Sequence, residues 1–393
     1  MKVLLCDPLN TQNNFYVYTG FLRKIGVDAH LLIGTDDLVP EGHRTTWQDG
    51  KAGQPDWVHK LPLPYFLPYQ HPIAFSRELK QVVKLAQQFD VIACSGLAPI
   101  WMALTGKPYV FISYGSDLDQ MATQGWSGAP EEASAKATGQ LARSLIQHAL
   151  AWSLRKARAS VVAPYQVDTA RRLGLHNIRF MPHVVDTSVF RPRRDPKSRK
   201  ELRDRLGGDI VLFHPARHVW LDTDIADCKG NDKVLRAFQL FVRRRPKAKL
   251  LLVNKGWDVA SSRGLCRKLG IEDSVVWMEP VDKQEMARLY NSVDIVLGQF
   301  TKSVLTLVAI EAMACGAPVI TSVPAAGESF YAAPPPVLNA DSLEGIYDGL
   351  MDLTSHPTLR TRAVIAGHKW VNCYCAPEAS IPVYADLLKE FSR

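Results

Sequence analysis

Two kinds of hydrophobic pattern alternate along the whole chain. Short apolar runs, of which residues 3–6 are the first, alternate with segments whose apolar residues recur every three or four positions. This alternation of strand and helix patterns predicts parallel sheets covered by helices on both faces. The alternation of strand and helix patterns begins again at residues 209–213, after a charged, proline-bearing stretch over 191–205. We therefore predict an α/β protein with two doubly wound, Rossmann-like domains that face a central cleft, with a ligand at the carboxyl ends of the strands.

The pattern also assigns individual elements. Strands are predicted at 29–33, 91–94, 109–113 and 160–163 in the first half, and at 249–253, 274–278, 294–297 and 318–322 in the second. Helices are predicted at 75–89, 135–157, 233–244, 283–292 and 306–315. Between 34 and 72 the pattern weakens and prolines cluster, which predicts long loops around the cleft entrance. The predicted domains are 1–190 and 191–377, with the interdomain junction at 191–205.

Size and charge limit the class of protein. At 393 residues the chain is too long for one compact core. Its net charge of +8 suits phosphate-bearing ligands, anionic membranes or nucleic acid without choosing among them. The 7 cysteines contain no CxxC pair, which favours reduced thiols in the cytoplasm. The amino terminus reads as a strand rather than a signal peptide, and the longest apolar run falls short of a membrane span.

One carboxylate stands inside an otherwise apolar predicted helix. Glu311 lies between Ile310 and Ala312, and the helix ends at Gly316. Burying an unpaired carboxylate costs several kcal/mol, so a buried Glu311 needs a protein partner or a ligand. The alternative is a half-solvated glutamate at the flank of the helix.

Residues 311–320 resemble the donor-site signature of the family 4 glycosyltransferases, an E-x7-E element. In that family the later Glu holds the ribose of a nucleotide sugar and the earlier one contacts the sugar. Glu311 matches the later Glu, whereas Ser303 stands at the earlier position. The resemblance extends over nearly the full length, through residues 180–192 and the HGxD-like segment 113–117. It implies the GT-B fold, with a terminal helix at about 378–393 that packs back onto the first domain.

The same resemblance implies a diphosphate site. Arg217 and Lys229 match the catalytic Arg and Lys that hold the diphosphate in family members, but here an insertion over 218–228 separates them. The insertion carries Asp222, Asp224 and Asp227, a set more typical of a solvated turn than of a metal site. The loop before the helix brings free amides and polar side chains to the donor. We expect donor contacts from Lys302, Ser303, Val304 and Thr306, and base stacking near 254–257 or 278–281.

Acceptor contacts are predicted in the first domain. Asn10, Asn13 and Asn14 follow the first strand, where family members usually have a Gly-Gly pair. Their amides suit sugar hydroxyls, although a polar turn explains them equally well. Tyr114 and Asp117 end another strand that is predicted to face the cleft.

The resemblance implies a retaining, metal-independent hexosyltransferase that uses a UDP- or GDP-linked sugar as co-substrate and needs no cofactor. Its expected role is cell-surface polysaccharide, glycolipid or glycoside biosynthesis, with a glycan, lipid-linked or small-molecule acceptor. A non-catalytic nucleotide-sugar-binding protein is the alternative that Ser303 supports. A sugar-nucleotide epimerase leaves the Arg217, Lys229 and Glu311 match unexplained, and nucleic-acid binding rests on net charge alone.

The predicted helix over 135–157 suggests a place for the protein in the cell. It carries one stripe of Leu141, Leu145, Ala149 and Trp152, followed by Arg155, Lys156 and Arg158. The cations would be attracted to anionic head groups, which predicts a cytoplasmic protein peripherally bound at the inner face of the membrane. The alternative is that the stripe packs in the core.

Overall fold

A computed structural model describes residues 1–8, 14–34, 54–61, 72–123, 137–193, 195–223, 228–324 and 331–392. The chain divides into two compact units, Met1–Val184 with Ser380–Arg393, and Val185–Ala379. The sequence-based division after residue 190 therefore falls inside the second unit. The reason is packing, because Val185, Val189 and Phe190 are buried in the core of that unit.

Parallel strands form the sheet of the first unit, in the order β3-β2-β1-β4-β5-β6-β7. The strands are β1 Lys2–Cys6, β2 Asp28–Gly34, β3 Val58–Leu61, β4 Val91–Cys94, β5 Tyr109–Ile112, β6 Ala159–Val161 and β7 Ile178–Arg179. The helices between these strands are α1 Asn14–Lys24, α2 Pro72–Ala86, α3 Ala98–Met102, α4 Ala137–Lys156 and α5 Val167–Arg172.

The second unit repeats this construction with the strand order β10-β9-β8-β11-β12-β13, again parallel. Its strands are β8 Ile210–His214, β9 Ala248–Val253, β10 Val275–Met278, β11 Ile295–Leu297, β12 Val319–Thr321 and β13 Leu338–Asn339. Its helices are α6 Pro196–Leu206, α7 Asn231–Arg244, α8 Val259–Leu269, α9 Lys283–Ser292, α10 Leu307–Ala314, α11 Leu343–Ser355 and α12 Pro357–Tyr374. The last helix, α13 Pro377–Glu390, begins in the second unit and ends in the first.

Both faces of each sheet are buried. Along β1, Leu4 and Cys6 belong to one hydrophobic cluster, whereas Val3 and Leu5 belong to another. A strand that is covered on both faces reads as a continuous apolar run, which is the pattern seen in the sequence. The predicted fold class, two doubly wound α/β units, is confirmed.

Two segments differ from the sequence-based prediction. The stretch expected to be the interdomain junction forms α6, because Asp195 caps the amides of Lys197 (3.0 Å) and Ser198 (3.3 Å) and Leu202 is buried. The region expected to form only loops contains β3, which pairs with β2 and buries Val58. A strand of four residues is too short to show a clear alternation of apolar and polar positions, so it is not recognised in a proline-rich segment.

The terminal helix α13 belongs mostly to the first unit. Ile381, Tyr384, Leu387 and Leu388 are buried in the same cluster as Val3 and Leu5. The ring of Tyr384 lies 4.9 Å from that of Tyr18, and its hydroxyl donates to the carbonyl of Pro182 (3.1 Å). These contacts fix the end of the chain on the first unit.

Candidate functional site

The strand order of the second sheet reverses between β8 and β11. At such a switch point the loops leaving two neighbouring strands diverge and open a crevice at their carboxyl ends, where ligands of open α/β sheets bind. Arg217 follows β8 directly, and the loop that carries Lys302, Ser303, Val304 and Thr306 follows β11. These predicted donor residues thus lie in the two loops that leave the neighbouring strands β8 and β11.

Asn231 organises the loop that leaves β8. This residue is fully buried, and its Oδ1 accepts the amide proton of Val219 (3.1 Å). Its Nδ2 donates to His214 Nε2 (2.9 Å) and to the carbonyl of Arg217 (3.2 Å). The amide of Lys229 in turn donates to the carbonyl of Val219 (2.7 Å). The backbones at Arg217 and Lys229 are therefore held in one cluster despite the insertion between them.

The protonation of His214 follows from its partners. Its Nδ1 lies 3.0 Å from the carbonyl oxygen of Leu297, which can only accept, so Nδ1 carries the proton. Nε2 is then the acceptor for Asn231. Burial lowers the pKa of His214 to about 4, so the ring is neutral at physiological pH. This neutral ring links the ends of β8 and β11 without adding charge.

Lys255 is a further cation near Arg217 that was not among the predicted site residues. It follows β9 and lies in the segment that was assigned to base stacking. Burial and the neighbouring charge of Arg217 lower the pKa of Lys255. Like charges held close together favour binding of an anion, because the anion relieves their repulsion. The signal in the sequence was a lysine two residues after a strand end.

Gln299 shapes the loop that leaves β11. Its side chain is buried, and Nε2 donates to the carbonyls of Lys302 and Val304 (the latter at 3.3 Å). Within the loop Ser303 is exposed, and its hydroxyl lies 3.2 Å from that of Ser322. Thr306 occupies the N-cap position of α10 without capping it, and its buried hydroxyl has no partner among the described residues. The polar atoms of this loop stand at the start of the helix that carries Glu311.

Glu311 is partly exposed, unlike its buried neighbours Ile310 and Ala312, so the expectation of a fully buried carboxylate is corrected. Desolvation still raises the pKa of Glu311 to about 7, although the charge of Lys283 and the hydroxyl of Tyr290 counteract it. Glu311 is therefore a partly exposed residue whose carboxyl group is protonated in about half of the molecules near pH 7.

Asp117, one of the residues predicted to contact the acceptor, is held by hydrogen bonds within the first unit. Asp117 is buried and accepts hydrogen bonds from its own unit, namely from Ser113 Oγ (2.8 Å) and from the amides of Gly96 (3.2 Å), Tyr114 (3.1 Å) and Leu118 (2.9 Å). Burial nevertheless raises its pKa. This geometry gives Asp117 the task of joining the loops after β4 and β5. An acceptor contact would need one of these bonds to be replaced.

Tyr114 and Asn14 remain candidates for acceptor contacts. The hydroxyl of Tyr114 is buried without a partner in the described part of the chain, and its ring packs edge-on against Phe15 at 5.4 Å. Asn14 is the first residue of α1, directly beyond the loop that follows β1. Asn10 and Asn13 lie outside the described residues.

Neither a metal cluster nor a membrane-spanning helix is found among the described residues. Across the described residues, no group of three or more His, Cys, Asp or Glu side chains is arranged to hold a metal ion. Asp224 and Asp227 of the insertion are not among them. No described helix has the length and apolar content needed to cross a bilayer.

A family model and several curated proteins match the part of the chain that contains this site. Residues 224–332 fit the family model of glycosyl transferases group 1, a segment that includes Lys229, the loop after β11 and Glu311. D-inositol 3-phosphate glycosyltransferase of Acidothermus cellulolyticus is 27% identical over 154 residues, covering 37% of this chain and 33% of the relative. The chain thus spans about a third of the length of this curated relative. Alpha-monoglucosyldiacylglycerol synthase of Streptococcus pneumoniae is 24% identical over 324 residues, covering 77% of this chain and 69% of the relative.

Solved structures resemble the chain over its full length. Sucrose-phosphate synthase from Thermosynechococcus elongatus superposes with a TM-score of 0.68 at 18% identity, covering 99% of this chain and 98% of that one. Anabaena HepE, solved in complex with UDP and glucose, gives a TM-score of 0.68 at 15% identity and covers 99% of this chain and 100% of its own. The chain therefore has the GT-B fold of glycosyltransferases, and its residues 224–332 are similar to the group 1 glycosyl transferases.

Proposed function

We propose that the protein is a retaining family 4 glycosyltransferase that moves a hexose-type sugar from a UDP- or GDP-linked donor to an acceptor hydroxyl. The observation that carries the proposal is the gathering of Arg217, Lys255 and the loop after β11 at the switch point of the second sheet. Cations and free backbone amides at this place suit a diphosphate.

Each group has a role in the proposed reaction. Arg217 and Lys229 would hold the diphosphate and stabilise the charge that develops on it as the glycosidic bond breaks. The carboxylate of Glu311 would accept hydrogen bonds from the ribose hydroxyls, which favours its ionised form. The protein supplies no nucleophile in this proposal, so rate enhancement comes from holding donor and acceptor together. Neither a cofactor nor a metal ion takes part.

Ser303 supports a second candidate function. It stands where family members place a carboxylate that contacts the sugar, and a hydroxyl accepts a hydrogen bond less strongly than a carboxylate does. A protein that binds nucleotide sugar without turnover would tolerate this exchange. Epimerisation of the donor sugar, the third possibility, requires no acceptor at all.

Transfer of a radiolabelled sugar separates these functions. We expect label to leave UDP-glucose or a related UDP- or GDP-sugar only when a lipid or glycan extract is added. Tight donor binding without release would favour the binding protein, whereas a changed sugar nucleotide without acceptor would favour the epimerase.

The surface of α4 supports a membrane-associated acceptor. Leu141, Leu145 and Trp152 are 61%, 41% and 39% exposed, so this part of the stripe lies at the surface rather than in the core. Arg155 and Lys156 are exposed at the end of the helix, and Lys156 Nζ lies 4.1 Å from the ring of Trp152. An apolar stripe beside cations suits an anionic lipid surface. We therefore propose that the protein is cytoplasmic and binds peripherally to the inner face of the membrane.

Vesicle flotation tests this proposal. The protein should float with anionic vesicles at low salt, remain behind with neutral vesicles, and be released at high salt, since each cation contributes about 1 kcal/mol. Leu141→Glu combined with Leu145→Glu should abolish flotation. Ile365→Glu, at an equally exposed apolar position of the second unit, is the control and should float normally. Absence of the wild-type protein from both vesicle types at low salt would point to a soluble acceptor.

A further inference from the structure

The insertion after Arg217 is fastened to the turn between β9 and α8. Asp258 Oδ2 accepts the amide protons of Trp220 (2.7 Å) and Leu221 (3.0 Å). The amide of His218 donates to the carbonyl of Lys255 (2.7 Å), and the carbonyl of His218 accepts from the amide of Asp258 (3.0 Å). The described part of the insertion, residues 218–223 and 228, is thus docked on its own unit at several points.

The docking depends on a close approach of two backbones. Gly256 has a φ of +117°, and a Cβ atom there would lie 2.3 Å from the carbonyl oxygen of His218. Both the conformation and the lack of space require glycine at this position. The insertion therefore packs against the β9–α8 turn as a built contact, and a side chain at 256 would push it away.

Ser262 is the polar centre of this contact. Its fully buried hydroxyl lies 2.8 Å from Trp220 Nε1 and 2.8 Å from His218 Nδ1. Because the indole N–H can only donate, Ser262 Oγ accepts from Trp220 and its own proton is available to His218. Burial and the charge of Arg263 keep His218 neutral, with a pKa lowered to about 3. Removing the hydroxyl would leave the buried Nδ1 of His218 and the half-buried Nε1 of Trp220 without their partner.

The contact reaches the predicted diphosphate ligands through Val219. This residue lies between His218 and Trp220, and its amide and carbonyl bind Asn231 Oδ1 (3.1 Å) and the amide of Lys229 (2.7 Å). Arg217 directly precedes His218, and its carbonyl accepts from Asn231 (3.2 Å). A shift of residues 218–220 would therefore move the backbones of Arg217 and Lys229 together.

We propose that Ser262 and Asn231 are positioning residues, and that residues 218–220, which they hold, are an integral part of the diphosphate site. Ser262 anchors His218 and Trp220 from one side, and from the other Asn231 holds the backbone of Arg217 directly and that of Lys229 through Val219. Fixing these cations before the ligand arrives lowers the entropic cost of binding a diphosphate. The inference rests on the proposed function, because it assumes that Arg217 and Lys229 bind a nucleoside diphosphate.

Calorimetric titration with UDP, GDP, uridine and guanosine tests the inference. Ser262→Ala should weaken binding of the preferred diphosphate by about tenfold or more, while binding of the matching nucleoside stays within about twofold. Ser262→Thr keeps the hydroxyl and should restore most of the diphosphate affinity. Trp220→Phe, at a half-buried position, removes the indole donor while keeping an aromatic ring, and provides the same test with less risk to folding.

Ser292→Ala is the matched control, since Ser292 is also a buried helical serine of the second unit and its hydroxyl bonds within its own helix, to the carbonyl of Arg288 (2.8 Å). It should lower the melting temperature without changing diphosphate affinity. If wild-type protein binds neither UDP nor GDP, the proposed function fails and the inference with it. If wild-type protein binds and both Ser262→Ala and Trp220→Phe bind equally well, or if Ser292→Ala loses as much affinity, the positioning role alone is overturned.

Discussion

Replacing Arg217 or Lys229 by alanine is expected to lower kcat/KM for the nucleotide sugar by roughly 30- to 900-fold. This range corresponds to about 2–4 kcal/mol of lost transition-state stabilisation for a cation that faces a departing diphosphate. Because the bonds through Asn231 and Val219 hold the two residues in one cluster, the double variant should lose much less than the sum of the single losses. Binding of the nucleoside, which has no phosphates, should be almost unchanged.

Steady-state kinetics of wild-type protein, the two single variants and the double variant complete a double-mutant cycle. Arg244→Ala is the control, since Arg244 is an exposed cation in the last turn of α7. Full additivity of the two losses would show that the cations act at separate sites. An equal loss of nucleoside binding would show that they support the fold or the base rather than the diphosphate.

Replacing Glu311 by glutamine is expected to stabilise the free protein at pH 8 while weakening its nucleotide binding. The pKa of Glu311 is about 7 in the folded state, against an ordinary value of 4.5. The stability that comes from its protonated form is therefore present below about pH 4.5 and is lost as the pH rises through 7. Glutamine stays neutral at every pH. Allowing for the partial exposure of the site, the gain at pH 8 is about 1–2 kcal/mol, or roughly 3–6 °C in melting temperature.

The same replacement should raise the nucleotide Kd about tenfold or more, because an amide oxygen accepts the ribose protons more weakly than a carboxylate. In wild-type protein the nucleotide affinity should increase from pH 6 to pH 8 as Glu311 ionises, and the variant should lack this increase. Melting curves at pH 4.5 and 8, with titrations at pH 6, 7 and 8, measure both effects.

Glu285→Gln is a control that should change stability at pH 8 in the opposite direction. A hydrogen bond and ion pair with Arg288 (2.5 Å) lower the pKa of Glu285, so its loss should destabilise the protein at pH 8 and leave nucleotide affinity unchanged. A Glu311→Gln variant that melts lower than wild type at pH 8 and binds nucleotide normally would show that the carboxylate serves packing or local structure instead.

The sequence predicted the fold well because local patterns are enough for it. Strands covered on both faces read as apolar runs, and the helices between them read as amphipathic stripes, so the layered α/β arrangement followed directly. Short elements escaped, as β3 did, because four residues carry little periodicity. The helix α6 was hidden in a charged stretch, where Asp195 and Pro196 were its start signals and Leu202 its single buried residue.

The site could be predicted only in part, because its geometry depends on contacts between residues that are distant in the sequence. The resemblance placed Lys229 and Glu311 in sequence, but nothing local reveals that the buried amides of Asn231 and Gln299 shape the loops around them. Likewise, the proximity of Lys255 and Arg217 depends on β8 and β9 being neighbours in the sheet. The apolar neighbours of Glu311 suggested full burial, yet in a helix that is apolar on most faces they do not determine which face is covered.

The central claim is that the second unit binds a nucleoside diphosphate through its switch-point cations and Glu311. Thermal melting against a panel of UDP, GDP, ADP, their sugar conjugates and the free nucleosides tests it most directly. A ligand at a hundred times its Kd stabilises the folded state by about 2.7 kcal/mol, and the shift grows with the logarithm of concentration. We predict that the diphosphate and diphosphate-sugar of one base raise the melting temperature by several degrees, whereas the nucleoside shifts it far less. A panel in which no diphosphate shifts the melting temperature, or in which nucleosides shift it as much, would contradict the claim.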